Sequence, residues 1–196
     1  MILALIGSMK ENSIINMRDK AILSIFYCSG ISIRDFMDLC LDDIHSNGQR
    51  LFISSEKSFR YDIMLCAPIL ITCINDWINY LKSIDYPGDN KLFPIFEYNP
   101  QTSNNNLINR TCDPYKVIST RASIAMLPHM TPFKVKKAGV CHALKLTRST
   151  QEIMAVVKNA NIGWATVESF YDLHNPIKQS EIISQINFSE KVNNEN

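Results

Sequence analysis

The chain has 196 residues, enough for one substantial core but short for two full domains. Hydrophobic residues make up 46% and charged residues 20%, the balance of a soluble globular protein, and no apolar run is long enough to cross a bilayer as a helix. The formal net charge of +1 excludes nothing by itself, but its distribution is uneven: residues 114 to 151 hold seven Lys or Arg (Lys116, Arg121, Lys134, Lys136, Lys137, Lys145, Arg148) and no acid. Such a zone is either a footprint for a polyanion or a solvated helix face.

The opening "MILALIGSMKENS" is apolar only as far as Gly7 and has no basic region ahead of it, so it reads as a first helix and not as a secretion signal. An intracellular location is expected: cytoplasm or nucleoid, or nucleus if the source is eukaryotic or viral. Residues 17 to 28 place Ala21, Ile22, Ile25 and Phe26 at helical spacing, and "SG" then breaks the helix. A second helix is predicted from near Ser32, with Ser32 and Asp35 in capping-box spacing and Phe36, Met37, Leu39 and Cys40 on its apolar side.

"RLFISS" and "YDIMLC" are short β-like runs around "EKSFR", which sets Lys57 in or beside a hairpin turn. A long apolar helix follows Pro68. The stretch "DYPGDNKLFPIFEYNPQTSNNNLINRT" is rich in Pro, Gly and Asn, and is expected to lack regular structure over much of its length. Further helices are predicted around residues 113 to 126, 132 to 146, 150 to 157 and 161 to 174, with a short amphipathic helix and a frayed end in the tail. The expected fold class is mainly α with a small β-hairpin or sheet, an α+β arrangement.

Six cysteines (Cys28, Cys40, Cys66, Cys73, Cys112, Cys141) are scattered without a C-x-x-C pair. That argues against a zinc site and a disulfide framework, and they read as buried free thiols. On a helix of about 100° per residue, residues 134 to 148 bring Lys134, Lys137, Cys141, Lys145 and Arg148 into one stripe about 80° wide. Lys136 falls roughly opposite, among Gly139, Val140 and Ala143, and points toward the body of the protein as a snorkelling side chain or a functional cation.

In order along the chain, "CSGISIRDFMDLCLDDI" has the rhythm of "TGLRISELLAL" with its following D-I step, Lys57 stands in a hairpin, and "TPFKVKKAGVCHAL" aligns without a gap to "TPHxLRHTFATHL". Trp164 in "NIGWATVESFYDLHNP" then stands where a His or Trp precedes a tyrosine. The chain in this respect resembles the catalytic domain of the tyrosine recombinases, the phage-integrase family. The resemblance implies a catalytic-domain-like region over residues 1–177 without the usual N-terminal DNA-clamping (core-binding) domain, and a C-terminal segment over 178–196.

It also implies a chemistry in which a tyrosine hydroxyl attacks a DNA phosphodiester. Two arginines, a hairpin lysine and a His or Trp donor meet the developing charge, and no metal or other cofactor takes part. Carried over, the first arginine falls on Ser32, the lysine on Lys57, the third block's histidine on Phe133, its arginine on Lys136 and its next histidine on Lys137, while the indole donor falls on Trp164. Counting nine residues on from Trp164 reaches Leu173, two past Tyr171. Lys136 keeps a charge without the bidentate geometry of a guanidinium.

The resulting expectation is a recombinase-like protein that binds double-stranded DNA through Arg60, Lys134, Lys137, Lys145 and Arg148 and does not cleave it. The alternatives are an active recombinase using Tyr171, and a non-enzymatic interaction module whose segment "IKQSEIISQINF" packs on a second copy or a recombinase partner.

Overall fold

The computed structural model describes residues 2–9, 13–47, 50–54, 60–63, 68–99 and 104–171. A first compact unit runs to Asn161, and a second begins at Ile162.

Within the first unit, α1 (Ile2–Ser8) leads to α2 (Ile14–Ser29). Ser13 caps α2 by accepting from the Asn16 N–H, and Gly30 ends it at φ 62°, a left-handed conformation that suits glycine. The sequence marks only one apolar face of α2. In the fold it is enclosed much more widely, and Ala21, Ile22, Leu23, Ser24, Ile25, Phe26, Cys28 and Ser29 are all buried. The two serines fit that setting because each hydroxyl donates to the carbonyl one turn back, Ser24 to Lys20 and Ser29 to Ile25.

Helix α3 (Ile33–Asp38) is shorter than its apolar pattern suggests. Leu39 and Cys40 were expected on its face, but Leu39 is extended and Cys40 forms a β-bridge with Lys91. The backbone pairs Leu41 N–H with Asn90 O and Leu92 N–H with Leu39 O, and these distant partners outcompete another helical turn.

Three strands, β1 (Ile44–Asn47), β2 (Arg50–Ser54) and β3 (Arg60–Asp62), form an antiparallel sheet in chain order. The predicted hairpin is present in β2 and β3. β1, "IHSN", carries no alternation of its own and is a strand through its pairing of Ile44 with Ile53 and Ser46 with Leu51. Helix α4 (Pro68–Ser83) follows as predicted.

The expectation of an irregular stretch after α4 is corrected by β4 (Pro94–Asn99) and β5 (Asn104–Thr111), an antiparallel ribbon with a register shift beside Pro94. Pro94 is tolerated because it is the first residue of its strand, and the asparagines of β5 are tolerated because the ribbon has only two strands and much of β5 faces solvent. Helices α5 (Pro114–Ile124), α6 (Pro132–Leu146) and α7 (Thr150–Asn159) complete the unit, each entered through a side-chain cap from Asp113, Thr131 and Ser149.

The core centres on α2, α4 and the segment before β4. Phe36 sits between Phe26 and Phe93, with ring centroids 4.7 Å and 5.0 Å away. Trp77 is fully buried, and its indole N–H is satisfied by Leu92 O at 2.8 Å. Each such side chain contributes about 1.5–3 kcal/mol by leaving water. The thiols are less uniformly buried than expected: Cys28 and Cys112 are buried, whereas Cys40, Cys73 and Cys141 are half-buried. Cys66 lies outside the described residues.

Helix α6 crosses α2 at Gly139, where an added Cβ would lie 1.8 Å from Tyr27 O and 2.7 Å from its carbonyl carbon. Tyr27 also holds α6 through its hydroxyl, 2.7 Å from His142 Nδ1. The second unit is described over α8 (Trp164–Tyr171), whose first turn is anchored by Gly163 O accepting from Thr166 and Val167.

No described helix is long and apolar enough to cross a membrane. Gly139→Ala removes a helix-weakening glycine yet forces α2 and α6 apart. A net destabilisation of roughly 3 kcal/mol is expected, read as a lower urea midpoint.

Candidate active site and nucleic-acid interface

The turn between α2 and α3 positions the first candidate residues. Ser29 Oγ accepts from the Ile31 N–H at 3.2 Å, and Gly30 turns the chain. Ser32 is thereby delivered to the N-cap of α3, where its hydroxyl oxygen accepts from the Asp35 N–H at 3.1 Å and its O–H donates to Asp35 Oδ2 at 2.6 Å. The capping pair legible in the sequence is real, with one change: Asp35 bonds the Ser32 hydroxyl.

Tyr61, buried on β3, donates its hydroxyl to the same Asp35 oxygen at 2.5 Å. Burial raises the Tyr61 pKa above its ordinary 10.0, and the Asp35 carboxylate adds to the rise by accepting the phenolic proton and by its charge. Hydrogen bonds with the Asn161 and Ser32 side chains pull the other way.

Lys136 reaches this knot from α6. It points inward, as its position on the helix predicts, and its ammonium donates to Ala160 O at 3.0 Å, at the C-terminal end of α7. Exposed carbonyls and the negative end of the helix dipole make that a favourable place for a cation. Burial lowers the Lys136 pKa, and the Asp35 charge partly offsets the effect. The close fit includes Gly30, where an added Cβ would meet Ala160 Cβ at 3.1 Å and Lys136 Cε at 3.7 Å.

Other predicted positions of the first unit lie on α6, just after it, and on β3. Phe133 is 57% exposed on the first turn of α6. Lys134 is exposed, with its ammonium donating to His129 O at 2.9 Å, and Lys137 and Cys141 are half-buried on the same helix. Lys145 is exposed in the last turn of α6.

Arg148 does not continue the α6 stripe. The helix stops at Leu146, because the Thr147 N–H and hydroxyl both bond Leu144 O and Ser149 opens the next helix. Arg148 is exposed in the connection, and its N–H donates to Glu152 Oε2 at 2.5 Å. Arg60 is exposed on β3 with its guanidinium over the Phe52 ring, 4.9 Å from the centroid. In the second unit, Trp164 opens α8 and is 51% exposed. Tyr171 is the last residue of α8; its side chain, Lys57, Leu173 and the C-terminal segment lie outside the described residues.

Neither a protein-family model nor a curated protein matches the sequence. Solved structures do. The XerH site-specific recombinase in a post-cleavage complex with palindromic difH substrate matches at TM-score 0.62 and 13% identity, over 94% of this chain and 51% of that one. The chain has a tyrosine-recombinase catalytic-domain-like fold.

The XerH pre-cleavage complex with difH matches this fold at TM-score 0.57 and 12% identity, over 94% of this chain and 51% of that one. XerA recombinase matches at TM-score 0.56 and 16% identity, over 89% and 61%. This chain therefore spans half to three-fifths of the length of those recombinases. Among the described residues there is no cluster of three or more His, Cys, Asp or Glu side chains able to hold a metal.

Sequence reasoning missed two contributors to the knot. Tyr61 is one alternating residue of a short strand, and Asn161 adopts φ 48° just past α7, so neither reveals its partner locally. Tyr61→Phe leaves the half-buried Asp35 oxygen with the Ser32 hydroxyl but without the phenol, and is expected to cost about 1 kcal/mol at neutral pH. Because the folded state holds the tyrosine proton more tightly, wild-type stability is whole below pH 10 and is lost as pH rises toward the folded pKa. That component disappears in Tyr61→Phe, which urea titrations across about pH 9 to 11 will show as a shallower alkaline decline.

Proposed function

We propose that this protein is a DNA-binding member of the recombinase fold that does not cleave DNA. The observation that carries this reading is how the two arginine-equivalent positions are used. Ser32 spends its hydroxyl on the cap of α3 and on Asp35, and Lys136 spends its ammonium on Ala160 O beside the same carboxylate. A phosphate approaching this point meets one inward-bonded ammonium and an anionic Asp35, in place of two guanidinium forks. Losing one preorganised donor to a transition-state oxyanion costs about 10² to 10³ in rate, so losing two, together with the histidine position taken by Phe133, leaves no useful strand cleavage.

DNA as the ligand is supported by the fold itself, since the XerH structures with this architecture are complexes with difH substrate. It is supported also by exposed cations on and after α6, chiefly Lys134, Lys145 and Arg148, with Arg60 on β3 and Lys137 partly accessible. Such groups contact phosphates and confer little base preference.

Duplex affinity measured by fluorescence anisotropy should fall with salt at about −0.9 log units per log unit of salt for each phosphate neutralised. The double variant Lys145→Glu, Arg148→Glu should lower the magnitude of that slope by about 1.8. Binding that ignores salt, or no binding near 50 mM salt, defeats the DNA-binding half of the proposal. A covalent protein–DNA adduct on a nicked suicide substrate, lost in Tyr171→Phe, defeats the other half and establishes the active reading.

A further inference from the structure

A cavity of about 950 Å³ opens on the first unit between the start of α2, α3, β4 and α5. It contains none of Ser32, Asp35, Tyr61 or Lys136. Its size falls in the range of sites for drug-sized ligands. The walls are apolar, from Ile15, Met37, Ile95, Phe96, Val117 and Ile124, and three of these are unusually open to solvent: Ile15 at 38%, Met37 at 37% and Ile124 at 65%.

One wall is an ion triad. Asp19 is 3% exposed and stands between two arginines. Arg18 places Nε and Nη2 on Asp19 Oδ1 at 3.0 Å and 2.8 Å and Nη1 on Pro94 O at 3.1 Å, with its guanidinium 5.0 Å from the centroid of the Phe96 ring. Arg121 places only Nε on Asp19 Oδ2, at 2.7 Å, and its two terminal nitrogens make no hydrogen bond among the described residues. One carboxylate thus balances two guanidinium groups, and the surplus donors lie on the cavity wall. Lys116 and Arg110 add charge at the mouth, and Asp113, the cap of α5, is the other acid in the lining. Four cations and two carboxylates line an apolar hollow.

We propose that this cavity binds a small amphipathic anion, a single carboxylate or sulfonate head on an apolar alkyl or aryl body. The head pairs with the terminal nitrogens of Arg121, and the body lies along Phe96, Met37 and Ile124. Charge complementarity selects the anion, because a half-buried guanidinium whose terminal nitrogens face the cavity gains most from an ionised acceptor. The apolar walls select the body: they gain nothing from a phosphodiester backbone, but cover a hydrocarbon well. The site is independent of the DNA-binding proposal.

The test is titration of the intact protein with anilinonaphthalene sulfonate, with decanoate and decanol as competitors. Saturable one-to-one binding is expected, displaced by decanoate well below the concentration at which decanol acts, and unaffected by saturating duplex DNA. Ile124→Glu and Lys116→Glu alter exposed positions and should retain the wild-type unfolding midpoint while weakening the probe roughly tenfold. Arg121→Gln should do the same, with Ile124→Glu as the control should loss of the Asp19 partner unfold the chain. Non-saturable fluorescence, equal competition by decanol, displacement by DNA, or unchanged affinity in Ile124→Glu overturns the proposal.

Discussion

The crossing of α2 and α6 at Gly139 is the constraint on which the rest depends. With no Cβ at that point, α6 approaches until the glycine backbone meets the Tyr27 carbonyl, a spacing that any other residue forbids. Lys136 lies three residues earlier on the same helix, and the close approach lets its ammonium bond Ala160 O while its stem passes Gly30. Two glycines on different elements, Gly30 and Gly139, thus set the separation of α2, α6 and the end of α7. The knot of Ser32, Asp35, Tyr61 and Lys136, drawn from α3, β3 and α6, forms beside that meeting point.

The same knot pairs its charges within the protein. Asp35 accepts from the hydroxyls of Ser32 and Tyr61, and its negative charge supports the half-buried ammonium of Lys136. Every strong polar group at the centre has an internal partner, and no buried side-chain polar atom among the described residues lacks one. That arrangement favours a rigid fold over an open anion site. The cavity beside α5 has the opposite character, because Arg121 commits only one of its guanidinium nitrogens to Asp19.

Much of the helical framework was legible. The spacing of Ile22, Ile25 and Phe26, the Ser32 cap and the "TP" entry to α6 are local signals, and local signals survive folding when tertiary contacts agree with them. Where they failed, a distant partner intervened. Cys40 left its helix to pair with Lys91, "IHSN" became a strand against β2, and the Asn-rich stretch after Pro94 became a ribbon through its own antiparallel pairing. Arg148 was misplaced for the reverse reason: a strictly local event, Thr147 bonding back to Leu144, ended α6 two residues before the periodic stripe did.

The sequence by itself determined which residue types occupy the candidate positions, the order of the helices, and the inward direction of Lys136, because each follows from chain spacing and helical geometry. The tertiary structure decided what those residues do. Whether Ser32 and Lys136 face a ligand or bond their own protein depends on Tyr61, Ala160 and Asn161, which lie from 24 to 129 residues away along the chain. The Arg18, Asp19 and Arg121 triad joins residues 102 positions apart, and no periodicity in a single sequence reports a contact of that kind. Hydrogen-bond partners are chosen by proximity in space, and only packing of the helices around α2 creates it.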